Sequence, residues 1–129
     1  MINRSSIIPG GQRRWCLRSL LLLALASTSQ AEEDDPQARY DHALKCAVYH
    51  RMVAGALKAD DRGVLFEDAE ALAIKGWEAA QGLGADLGMT EEELQDDWRW
   101  QLQAFNQVIN FNYRNIRQLK VRYLDRCSG

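Results

Sequence analysis

Beyond residue 36 the apolar positions recur at three- and four-residue steps, the spacing of a helical face rather than of a strand. The longest run is Leu94, Trp98, Leu102, Phe105, Ile109, Ile116, Leu119 and Tyr123, with Asn112 in the same series. An earlier stripe joins Leu65, Ala69, Leu72, Gly76 and Ala80, flanked by Phe66, Ala73 and Trp77. It predicts one buried face on a helix over 64–81. A first helix is expected over 36–58. Asp35 supplies a cap, Pro36 suits the first helical position, and the turn residues Asp60-Asp61-Arg62-Gly63 close the helix. Gly82, Gly84 and Gly88 should loosen the chain after the second helix, at about 1 kcal/mol each relative to Ala.

Thr90-Glu91-Glu92-Glu93 opens a third helix. Thr90 can accept from the first-turn amides while Glu93 reaches back, which makes a capping box. Glu91, Glu92, Glu93, Asp96 and Asp97 suit the positive end of the helix dipole. They lack the spaced ligands and central glycine of a calcium loop, so a helix start is the better reading. Periodicity alone would extend this helix over some 36 residues, about 54 Å. In an up-down-up arrangement that length would carry Cys127 to roughly 35 Å from Cys46. The Cα atoms of a disulfide lie only about 4.4–6.8 Å apart. One long helix and a Cys46–Cys127 bridge therefore exclude each other within one chain. We favour the bridge, with a break among Asn106, Asn110, Asn112 and Asn115, because asparagine tolerates left-handed backbone.

Composition strengthens the helical reading. Only nine residues after Ala31 are Val, Ile or Thr, too few to build a sheet from. The expected fold is all-α: a small three- to four-helix up-and-down bundle over 32–129, its first helix tied to the C-terminal segment by one disulfide.

Residues 1–31 read differently. They hold Arg4, Arg13, Arg14 and Arg18 and no acid, then the apolar run Leu20 to Ala26, then small polar residues. That order is the grammar of a cleavable signal peptide. Ser29-Gln30-Ala31 fits the cleavage rule best, with Ala24-Leu25-Ala26 as the alternative. The run is far shorter than the roughly 20 residues that a membrane-spanning helix needs. Arg13-Arg14 loosely resembles a twin-arginine leader, though Cys16 occupies the usual aromatic position. The expected location is periplasmic or secreted, with no transmembrane segment in the mature form.

Cleavage after Ala31 removes four bases and no acid from a chain of formal charge −2, leaving the mature part near −6. A nucleic-acid partner is disfavoured by that balance. Cys46 and Cys127 remain, and an even pair in an oxidising compartment reads as a disulfide.

Candidate chemistry is sparse. His42, Cys46 and His50 lie at four-residue steps on one helical face. Imidazole and thiolate could hold zinc or cuprous copper, but a bridged Cys46 is withdrawn and the chain has no third His to complete a tetrahedral site. A packing face is the preferred reading. No Cys-x-x-Cys-His haem motif occurs, and one Ser and one Thr after Ala31 cannot supply a hydrolytic triad. No cofactor is expected.

Trp100 lies two residues around the helix from Trp98, off the main stripe; burial against a fourth helix is the plainer expectation, and a protein-partner contact is the functional candidate. Arg114, Arg117, Lys120, Arg122 and Arg126 face only Asp125 in their segment, which suits an anionic partner such as an envelope surface, or else a solvated helix face. The expected function is an exported, non-enzymatic protein acting through a protein partner, as an envelope chaperone, inhibitor or immunity-type protein does. The alternative is a periplasmic metal or small-ligand carrier using His42 and His50.

Overall fold

A computed structural model describes residues Asp35–Ser128. The leader reading and its cleavage site lie outside the described residues. Among the described residues there are four α-helices, one 3-10 turn and no strand. They are α1 (Pro36–Ala59), α2 (Gly63–Asp86), α3 (Glu91–Val108), the 3-10 turn Tyr113–Asn115, and α4 (Arg117–Tyr123). The fold is the expected helical bundle, and no described helix is long and apolar enough to cross a membrane.

α1 is the central element, and α2, α3, the 3-10 turn and α4 all pack against it. It buries residues around more than half of its circumference. Ala47 and Ala54 are small, whereas Tyr40, Leu44, Val48, Tyr49 and Met52 are large. The large set joins Leu94, Phe105, Ile109 and Leu119 in the core.

α2 corrects two expectations. Its buried residues are Ala69, Ala73, Ala80 and Gly84, whereas Leu65 and Leu72 are 50% and 49% exposed. The cause is the closeness of α1 and α2. A Cβ on Gly76 would lie 3.1 Å from the Cα of Ala47, so only small residues fit on the contact line and bulkier ones are displaced to its edges. The second correction concerns the glycines. α2 does not loosen at Gly82 but continues to Asp86. Gly84 is buried, and a Cβ there would clash with Leu94 Cδ2 and lie 3.2 Å from Tyr40 Cε1. Its missing side chain lets α1 and α3 close over α2, and that packing offsets its poor helix propensity.

The helix ends obey one rule. The amide of Met89 donates to Gly84 O and that of Gly88 to Ala85 O, with Gly88 at φ +79°. This is a Schellman motif. The same pair of bonds closes α1, with Asp61 left-handed, and α3, with Asn110 left-handed. At the start of α3 the capping box forms: Glu93 N donates to Thr90 Oγ1 and Thr90 N to Glu93 Oε2, both at 3.2 Å.

The asparagine break is confirmed in place. After Val108 the chain turns through Asn110 and Phe111, both near φ +50°. Asn112 Oδ1 accepts from the amide of Arg114, and Asn115 Nδ2 donates to Ile109 O at 2.9 Å. α4 then returns along α1, and Cys127 is bonded to Cys46 with Cα atoms 5.3 Å apart. The bridge closes a separation of 81 residues, which corresponds to about 4.5 kcal/mol in the loop-entropy estimate.

Two neighbouring glycines should respond oppositely to alanine. Gly82 has open space around its Cα, so Gly82→Ala should stabilise by up to about 1 kcal/mol through helix propensity. Gly84→Ala should destabilise by about 1–3 kcal/mol through overpacking. Urea titrations of both variants beside the parent measure the two signs.

Candidate functional site

Three features compete for a functional role: a cleft beside the disulfide, a cleft under Trp100, and a cleft at a tryptophan pair. In the first, helical steps of four stack His42, Cys46 and His50 on one face of α1, and all three line the same cleft. α2 contributes Leu72, Lys75 and Gly76, and the chain after α4 contributes Arg126 and Cys127. The cleft measures about 250 Å³.

The two histidines differ. His42 is exposed, its Nε2 3.7 Å from Cys46 Sγ. His50 is half-buried, and its Nε2 lies 3.1 Å from Cys127 O. A carbonyl only accepts, so Nε2 carries the proton and donates. Burial lowers the His50 pKa below 6.5, and the hydrogen bond to Cys127 O opposes that shift. Cys46 is a disulfide sulfur and offers no thiolate. Among the described residues no group of three His, Cys, Asp or Glu side chains is placed to hold a metal.

Trp100 projects from α3 and is 71% exposed. Beside it lies a cleft of about 270 Å³ lined by Asp41, Leu44 and Lys45 of α1 and by Asp97 and Gln101 of α3. Asp97 is fixed there, because the buried Tyr40 hydroxyl donates to its Oδ2 at 2.8 Å. Burial first, and then the Asp97 carboxylate, push the Tyr40 pKa well above its ordinary value. The phenol therefore stays a donor.

Arg114, Arg117 and Arg122 are exposed and Lys120 is half-buried. None of them lines the Trp100 cleft, so the structure does not join these partner candidates into one site. Among the described residues they make no ion pair, and the acidic start of α3 pairs instead within itself, Asp96 with Arg99 at 2.9 Å.

Sequence reasoning missed the third cleft. Trp77 of α2 and Trp98 of α3 meet edge to face, with ring centroids 4.9 Å apart. Arg51, Glu70, Ile74 and Gln95 complete a hollow of about 320 Å³ around them. Trp77 and Trp98 belong to different apolar stripes, and nothing in either stripe records that the two rings meet.

No family model matches the chain, and neither a curated protein nor a solved structure does.

His50 sets a direction for pH dependence. A histidine whose folded pKa is lowered contributes stability that is present above its unfolded value of about 6.5 and is lost as pH falls through the folded one. Thermal unfolding should therefore show Tm falling between pH 7 and 5, and falling less in His50→Gln, which keeps a side-chain donor without the titration.

Proposed function

We propose that the chain is an exported, non-enzymatic helical protein that acts by binding a protein partner, in the manner of an envelope chaperone, inhibitor or immunity-type protein. The observation that carries this reading is Trp100. A large aromatic ring stands 71% exposed on a helix otherwise fixed by its cap and core. Tryptophan is enriched at the centres of interfaces because it covers much apolar area with few rotatable bonds. The carboxylates of Asp41 and Asp97 beside it suit a partner that presents a basic side chain, which would stack on the indole as well. Export is supported by the basic, apolar and small-residue order of residues 1–31 and by a disulfide of the kind that persists in oxidising compartments.

A second reading, a small-ligand carrier, is favoured by one observation: His42 and His50 line a common cleft with further polar side chains.

Two measurements test the main reading. The intact mass of exported protein should correspond to a chain beginning at Glu32, and a full-length mass in the envelope fraction would remove the export argument. Affinity capture from envelope extract should retain a specific partner, and Trp100→Ala should weaken that complex by about 2 kcal/mol, roughly 30-fold. Tm should barely change, because the ring is mostly in solvent. Charge reversal at Arg117 and Lys120 should act chiefly on association rate and its salt dependence.

A further inference from the structure

We infer that the cleft beside the Cys46–Cys127 disulfide binds a small organic anion with a short aliphatic part. Four basic side chains from three stretches of chain converge on it: His42 and His50 of α1, Lys75 of α2, and Arg126 beyond α4. Among the described residues no carboxylate lines it, although the chain carries 18 acids against 16 Lys and Arg. The local field is therefore opposite in sign to that of the whole chain. A recess lined by one sign of charge concentrates the counter-ion.

The groups have distinct parts. The Nε2 proton of His50 is committed to Cys127 O, so His50 forms a wall rather than a donor. Lys75 and Arg126 are exposed at the rim and supply the donors, while His42, also exposed, has its Nε2 3.7 Å from Cys46 Sγ. The guanidinium of Arg126 offers two parallel N–H groups, the geometry that a carboxylate or phosphate accepts. Leu72 and Ala79 provide the apolar lining, and Leu72 is half exposed because the close α1–α2 contact has displaced it. A volume of about 250 Å³ equals that of about eight waters in the liquid. That is room for a short-chain fatty acid or a small phosphate ester.

The disulfide makes the site. It places Arg126, the residue before Cys127, against α1. The inference stands apart from the partner reading, since Trp100 lies in a different cleft.

The test is an NMR or calorimetric titration of the oxidised protein with hexanoate, hexylamine and inorganic phosphate at low salt. Hexanoate should bind saturably with Kd near or below about 1 mM, phosphate more weakly, and hexylamine not at all. Lys75→Gln combined with Arg126→Gln should weaken hexanoate at least tenfold. Arg117→Gln with Arg122→Gln, outside the cleft, should leave it unchanged. All four side chains are exposed, and unchanged Tm confirms that each variant is folded. Phosphate binding as tightly as hexanoate would overturn the aliphatic part of the assignment. Absent saturation, binding of hexylamine as well, or equal weakening in both variant pairs would overturn the site.

Discussion

α1 has to be covered on more than one side, and the way it divides its circumference decides where everything else goes. Its alanine side admits a helix at close range, and α2 answers with Ala69, Ala73, Gly76, Ala80 and Gly84. Its large-residue side needs bulk opposite it, and α3 supplies Leu94 and Phe105 while α4 supplies Leu119. Close approach on one side and deep interdigitation on the other follow from residue size alone. Gly84 couples the two. A methyl group there would collide with both Leu94 and Tyr40, one residue from each neighbouring helix.

The disulfide imposes the second condition. Cys46 lies about halfway along α1, so the C-terminal segment must reverse before it reaches that height. Reversal is expensive in backbone terms. Phe111 sits at φ +53° directly after Asn110 at φ +52°, and a bulky residue in the left-handed region costs on the order of 1–3 kcal/mol. The turn gains compensating bonds: Asn115 caps Ile109 O, and Asn112 receives Arg114 N. Tyr113 lies over Gly55, where a Cβ would strike the phenol ring. Ring contacts of Tyr123 with Phe105 and Tyr49 secure the returning segment.

Much of this was legible in the residues. Asp35-Pro36, Thr90 with Glu93, and the Asp60–Gly63 turn place three helix boundaries through local chemistry that does not depend on distant contacts. The reversal after Val108 was legible too, because it followed from the reach of a helix set against the length of a disulfide. The face of α2 was not. Leu65 and Leu72 look like core in a periodicity count, which weighs side chains by polarity. The actual contact line was selected by size, and its only trace was the recurrence of small residues from Ala69 to Gly84. The same gap hid the cleft chemistry. Lys75 and Arg126 are 51 positions apart in the numbering of the chain, and no spacing rule brings them together.

That displacement also links the packing to the surface. Had α2 buried its leucines, the helices would stand farther apart, and the groove between His50 and Lys75 would be filled by Leu72. Because small residues occupy the contact line, Leu72 stands at the edge and becomes lining instead of core. The disulfide then closes one end of that groove with Cys127 and Arg126. On the other side of α1, Tyr40 reaches through the core to hold Asp97 beside Trp100. The basic cleft therefore depends on α1, α2 and the bridge, while the Trp100 cleft depends on α1 and α3. α1 is the one helix common to both, so the two surfaces can accept separate substitutions provided that Ala47, Val48 and Met52 continue to hold the helices in place.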